Sequence, residues 1–510
     1  MKHRRILSGL AALMLAASLP MSALAREWDI ADGDITIVAD NDGQKVSQGT
    51  ENDISDDNPI IIGNSATNTV SIVAEKDQTA NVTLSGANID GSTKGNAAVS
   101  TTGEGNVSIE LDGDSTLKSG FCHAGLEKNN GGSLTIADED KNGKLTAEGG
   151  GYGAGIGGGY NGTGSDITIS GGEVNATGGA YGAGIGGGWG GSGSDITISG
   201  GEVKATGGAF GAGIGGGYEA GGSDIAISGG EVNATGGGAY GAGIGGGWGG
   251  SGSDITISGG EVKATGGSYG AGIGGGYSGD GSDITVSGGE VKATGGVNSA
   301  GIGGGLQGKG KDITVSGDAK LKVQGGVESW TGGAGAGIGN GGSKADGNQI
   351  PGAEVEPDTS DLTTGWIEYY APGADMDKDA PSQTIVGTYI PPQPAREAAA
   401  PAQPTAPLYR VTDGDGKDVS YETTWRDGVL TVTVEADRAV LTGRLSGIAS
   451  LQAQGIERIV FITKGATSEF LTADLLAAAP AMERYALTHD GETVTFTAGE
   501  ADVSGILVKA

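Results

Sequence analysis

Six times along the middle of the chain the segment GAGIGGG, or a close variant, returns with its isoleucine at Ile156, Ile185, Ile214, Ile244, Ile273 and Ile302, in steps of 29, 29, 30, 29 and 29 residues. Asp166, Asp195, Asp224, Asp254, Asp283 and Asp312 keep the same register. Self-similarity at this period marks an array of stacked units. Within one unit, SDITISGGEVKATGG (residues 194–208), polarity alternates with period two. Ile196 and Ile198 face one way, Asp195, Thr197 and Ser199 the other, and after the glycine pair Val203 and Ala205 alternate with Glu202 and Lys204. Two short strands with a bend between them, and a third short side supplied by GAGIGG, close into one coil of a parallel β-helix.

Competing architectures fail on local grounds. No unit holds a ten-residue stretch of 3.6-residue periodicity, and each paired glycine would cost a helix about 1 kcal/mol. A propeller blade of four strands needs about 40 residues or more. With 108 glycines in 510 residues, an ordinary globular core is excluded as well. In a parallel β-helix equivalent residues stack about 4.8 Å apart, so inward Ile, Val and Ala form apolar ladders and glycine allows tight corners.

Less regular forms of the same grammar occur at 34–37 (DITI), 81–89 (NVTLSGANI), 106–117 (NVSIELDGDSTL) and 133–147 (SLTIADEDKNGKLTA). The solenoid is therefore expected over 26–345. Residues 1–25 read as a secretory signal: basic Lys2, Arg4 and Arg5, an apolar run from Ile6 to Leu19, and a small-residue exit at Ala23, Leu24 and Ala25. That run is too short for a membrane span, and nothing else approaches one, so no membrane insertion is expected. Residues 346–406 are expected to be a Pro/Ala-rich linker, with a cap for the solenoid within 362–390. Residues 407–510, poorer in glycine, alternate at 430–434, 459–462 and 494–496 and read as a small α+β domain with a helix over 468–479.

The formal charge is −32, and −35 once the three cations of the signal are removed, which makes nucleic acid an unsuitable partner and suits neutral or cation-bridged ligands. One cysteine, Cys122, excludes an internal disulfide, and two histidines beyond the signal, His123 and His489, leave little material for zinc or histidine-based catalysis. Cys122 is expected as a buried small residue beside a turn.

Two aromatic stripes run along the array. Tyr152, Tyr181, Phe210, Tyr240 and Tyr269 precede GAGIG, while Tyr160, Trp189, Tyr218, Trp248 and Tyr277 follow GGG. Regularly spaced rings can stack on the apolar faces of sugars, and they can equally stack on each other over the corner glycines. An acidic ladder, Glu173, Glu202, Glu231, Glu261 and Glu290, reads as a solvated surface relieved by Lys204, Lys263 and Lys292. A calcium candidate is the turn Asp138, Asp140, Asn142 and Gly143; its twelfth position is Gly149 where a full EF-hand loop has glutamate, and Glu148 is the nearest replacement.

With these residues in view, NVTLSGANID (81–90), NVSIELDGDSTLKSG (106–120), SLTIADEDKNGKLTA (133–147) and the GAGIGGG coils resemble a secreted clostridial family of calcium-containing parallel β-helix carbohydrate-binding domains. The resemblance implies a right-handed helix of the pectate-lyase type, bound calcium, and binding of plant cell-wall polysaccharide without cleavage, in a bacterial protein that is secreted or held at the cell surface. The first expectation is thus a non-catalytic polysaccharide-binding protein. A surface adhesin or stiff spacer is the alternative. A β-helix lyase or hydrolase is the third reading, disfavoured because the acids recur evenly instead of clustering.

Overall fold

The computed structural model describes residues 25–387 and 409–508, except 415, 427, 454, 479–481, 483, 492 and 500. The expected signal up to residue 24 and the Pro/Ala-rich run from 388 to 406 lie outside the described residues. The chain divides into two compact units, Met1–Pro391 and Pro392–Ala510.

In the first unit each repeat makes one coil. In one of them the strands are Gly193–Ile198, Glu202–Thr206 and Ile214–Gly215. Each pairs in parallel with its counterpart in the next coil: Ile196 with Ile225, Val203 with Val232, and Ile214 with Ile244. Ile185 and Ile214 are neighbouring layers, as the repeat requires. The coils build three sheets of 11, 12 and 13 strands, and the excess over 11 consists of antiparallel strands at the ends. This is an all-β, right-handed parallel β-helix. Ile196, Ile198, Val203, Ala205 and Ile214 are fully buried, and each such isoleucine contributes about 1.5 to 3 kcal/mol by leaving water.

Two features lie beneath the simple alternation. The six register aspartates have φ between 52° and 54°, and the ladder skips them, pairing Ser194 with Ser223 and then Ile196 with Ile225. Asp195 is still exposed, but on a left-handed backbone that Asp tolerates better than most residues. On the third side the glycine after each isoleucine has φ near +130°, as in Gly186, where a Cβ would stand 2.0 Å from the carbonyl oxygen of Gly215. Backbone lies on backbone there, so only glycine fits.

Both ends are covered by antiparallel chain. Ile35–Asp40, in the first layer, is flanked by the hairpin Gly43–Gln48 and Glu51–Ser55. At the other end the solenoid passes the expected limit of residue 345: Trp366–Tyr370 adds a parallel strand to Lys320–Gln324, and Gln383–Val386 closes it antiparallel. Asp377, between those two strands, pairs with Lys292 at 2.7 Å and Lys322 at 3.6 Å, which ties the cap to the last coils. Such covering blunts the open edge of a solenoid.

The second unit has a five-stranded and a four-stranded sheet with helices at Leu445–Ala453 and Thr472–Ala478. Phe461, Phe470 and Phe496 are fully buried in its core. The helix expected from Ser468 begins later, because Thr467–Leu471 is a strand with Ser468 and Phe470 turned inward. Among the described residues no helix is long and apolar enough to cross a membrane.

Candidate functional site

The two aromatic stripes are one band. GAGIGGG is a short side of the coil, so the chain returns to the corner it left. The amide after the glycines then donates to the aromatic residue of the preceding coil: Trp189 to Tyr152 O at 2.8 Å, Tyr218 to Tyr181 O at 2.9 Å, Trp248 to Phe210 O at 2.8 Å and Tyr277 to Tyr240 O at 2.9 Å. The rings interleave in consequence. Tyr181 meets Trp189 at 4.4 Å, Tyr218 at 5.5 Å and Phe210 at 4.9 Å between centroids.

Ring orientation changes along the band. Tyr181 and Phe210 are inclined by 6°, and Tyr218 and Trp248 by 5° with centroids 4.8 Å apart, so these rings lie offset face to face. Tyr218, Trp248 and Tyr277 are accordingly half-buried with a face against a neighbour, and Trp189 is half-buried between tilted rings. Tyr160 is 51% exposed, and Phe121, which packs edge-on against Tyr152, is 61% exposed. Sequence reasoning missed Phe121 because it lies one position ahead of the stripe.

At the far end the stripe positions are Asn298 and Leu306. Buried Asn298 donates to Gly332 O at 2.6 Å and Gly333 O at 2.8 Å and accepts from Ser329 and Thr331, which fixes the loop 327–335. A Cβ on Gly332 would lie 3.1 Å from Leu306, so this loop covers the end of the band, with its own Trp330 76% exposed.

The acidic turn closes differently from a calcium loop. Asp138 is nearly buried and accepts from the amides of Asn142 at 3.2 Å and Gly143 at 3.0 Å, while Asn142 Nδ2 donates to Asp140 at 2.8 Å. The third acid converging on Asp138 and Asp140 is Glu110, from the preceding coil. Burial, with the negative charge of Glu139, Asp138 and Asp140 added, holds its carboxyl above the usual range. The oxygen set of Glu110, Asp138 and Asp140 fits a hard divalent cation. Asn142 uses its Nδ2 on Asp140, which leaves the ligating role of an asparagine to Oδ1, and Glu148 lies opposite Lys118 in the ladder, 4.0 Å from its ammonium, instead of closing the turn.

Glu173, Glu202, Glu231, Glu261 and Glu290 stack in register. Carboxylates about 4.8 Å apart repel by roughly 0.9 kcal/mol per pair even at the dielectric of water. Lysine flanks the ladder: Lys144 precedes it and meets Glu173 at 2.6 Å, and Lys320 follows Glu290. Cys122, expected to be buried, is exposed, because its position is that of the outward aromatic in later coils. Neighbouring His123 places Nδ1 2.8 Å from Glu127 Oε2.

A beta helix repeat family matches residues 141–160, 167–189, 196–218, 225–248, 255–277 and 284–306, each segment carrying one of the six isoleucines. No curated protein and no solved structure matches the chain. The matched repeats and the three sheets in register make this a parallel β-helix protein.

Proposed function

We propose that this chain is a secreted, non-catalytic protein that binds a polysaccharide, of the plant cell-wall type, along its aromatic band. The band itself carries the reading. From the layer of Phe121 to that of Tyr269 it runs through five steps of about 4.8 Å, or about 24 Å, the shape of an extended glycan rather than of a small ligand. Aromatic rings take the C–H faces of pyranoses, and polar groups beside them take the hydroxyls. The acidic surface suits a neutral glycan or one bridged by cations. Calcium would be held by Glu110, Asp138 and Asp140, where it would offset three carboxylates. Cleavage forms no part of the proposal: the Asp and Glu of the glycine-rich repeats each recur once per coil in parallel ladders instead of facing each other across a bond.

The offset stacks of Tyr181 with Phe210 and Tyr218 with Trp248 favour a second reading, a stiff spacer whose rings serve packing. Affinity electrophoresis of the mature chain in gels containing pectin, xylan or hydroxyethyl cellulose, with calcium and with chelator, separates the two. Retardation without new reducing ends or unsaturated products is expected. Free migration in every gel supports the spacer.

A further inference from the structure

The coil that opens the band still carries side chains at positions where the later coils have glycine. Leu126 pairs with Ile156 and Glu127 with Gly157. His123 and Glu127 thus stand where the next coil has Gly153 and Gly157 and the one after has Gly182 and Gly186. The coil before has Asn96 and Ser100 at these positions, so the glycine rule of this side begins only with the next coil, and side chains are accommodated here.

The two side chains form an ordered pair. Glu127 has a side chain only 9% exposed, and its Oε2 accepts from the Ala124 amide at 3.0 Å while Oε1 accepts from Asn129 Nδ2 at 2.8 Å. The remaining acceptor capacity of Oε2 goes to His123 Nδ1, 2.8 Å away. A neutral imidazole that donates from Nδ1 carries its lone pair on Nε2, and the ring is held in one orientation by a buried acid. His123 itself is 35% exposed.

The pair adjoins the exposed end of the aromatic band. A Cβ on Gly159 would stand 2.7 Å from Glu127 Oε2, so the turn that carries Tyr160 lies directly on the carboxylate. The Tyr160 amide donates to Cys122 O at 2.7 Å, and the Tyr152 amide to Phe121 O at 2.8 Å, which binds this coil to the first layer of rings. The two most exposed rings of the band, Phe121 and Tyr160, therefore belong to the same pair of neighbouring coils as an imidazole of fixed orientation. Metal binding is not the use this geometry favours: among the described residues the trio close enough to share an ion is Glu110, Asp138 and Asp140.

Resting on the polysaccharide-binding reading, we infer that Phe121, His123 and Tyr160 form a sugar subsite at this end of the band. A pyranose ring stacks on an exposed aromatic face, and one of its hydroxyls donates to His123 Nε2. Glu127 is a positioning residue, which fixes the histidine tautomer and does not touch the sugar.

The test uses the mature full-length chain and the same pectin, xylan and hydroxyethyl cellulose gels. His123→Ala and Tyr160→Ala should each weaken retardation about tenfold, the value of one good polar or stacking contact, with melting temperatures unchanged. The double variant His123→Gly with Glu127→Gly restores the glycines of the later coils, so it should fold as they do and still lose the affinity. Glu127→Ala removes the acceptor of His123 Nδ1 and should weaken binding, while Glu127→Gln, whose oxygen can still serve both the Ala124 amide and His123 Nδ1, should retain more of it. Retardation of wild type that is unchanged in His123→Ala, Tyr160→Ala and the double variant overturns the subsite and leaves the polysaccharide reading standing. Free migration of wild type in all three gels overturns both.

Discussion

Replacing Gly215 by alanine tests the rule that organises the solenoid. Gly215 has φ +128°, and a Cβ there would lie 2.1 Å from the carbonyl oxygen of Gly245 in the next coil. Carbon and oxygen do not approach below about 3 Å without repulsion, so the two layers must part by close to 1 Å at this point. The oxygen displaced is the one that accepts from the Gly216 amide at 2.9 Å. A non-glycine residue at such a φ costs about 1 to 3 kcal/mol, and a buried pair pulled apart costs about as much again, for a total of about 2 to 6 kcal/mol. For a solenoid of about 360 residues, whose unfolding entropy is about 2.1 cal/mol/K per residue, that is a fall in melting temperature of about 3 to 8 °C. Gly238 is the control: it is exposed, and a Cβ there meets nothing within 4 Å, so Gly238→Ala should stay within about 0.5 kcal/mol of wild type. Thermal melts followed by circular dichroism of both variants decide the matter. If Gly215→Ala melts within about 1 °C of Gly238→Ala, the claim that the third side packs backbone against backbone is wrong.

Two more outcomes are expected. His489 is fully buried between Thr463 Oγ1 at 3.0 Å and Ser468 Oγ at 2.8 Å, and burial lowers its pKa to about 4 from the ordinary 6.5. The unfolded chain therefore takes up the proton first, so the stability of the second unit is full above pH 6.5 and declines as pH falls toward 4, by about 3 kcal/mol at most. Melts from pH 7 to 4 should show that decline in wild type and a flatter one in His489→Gln, and equal slopes would remove the histidine from the account. Calcium at a hundred times its dissociation constant should stabilise the first unit by about 2.7 kcal/mol, with chelator reversing the gain. Asp140→Asn should abolish it, and a gain that survives in this variant places the ion elsewhere.

The coil and its register were legible because a two-residue alternation repeated every 29 residues admits one economical closure. What escaped depends on which residues of different coils become neighbours. Glu110 lies 28 residues before Asp138 and joins it only once Glu110 is set opposite Ala137. The merging of the aromatic stripes needed the return path of GAGIGGG, which the hydrogen bond from Trp189 to Tyr152 makes plain. Trp366–Tyr370 carries no glycine signature to mark it as a coil rather than a cap, although Ile367 is as buried as any repeat isoleucine. The left-handed aspartates were invisible for another reason: a residue between two ladder positions keeps the polar-outside pattern whatever its φ. The helix expected from Ser468 started late because Ser468 faces inward as the partner of His489, so polarity there does not mark a surface.

The two ends of the aromatic band bear on the choice between binder and spacer. A stack of rings leaves an open face at each end, and a stack that serves packing alone has the same need of cover at both. At the C-terminal end the chain supplies that cover: Asn298 and Leu306 take the ring positions, Leu306 is 2% exposed, and the loop 327–335 is fixed above them by the buried amide. At the other end Phe121 and Tyr160 stay more than half exposed, and the two positions beside them hold a histidine and the buried acid that orients it. Exposed aromatic area costs about 25 cal/mol for each Å² left in water, and the cover at Leu306 recovers it for the ring positions, although the covering loop leaves its own Trp330 76% exposed. A ligand that stacks on those rings and bonds to that imidazole would account for the missing cover, which packing alone leaves unexplained.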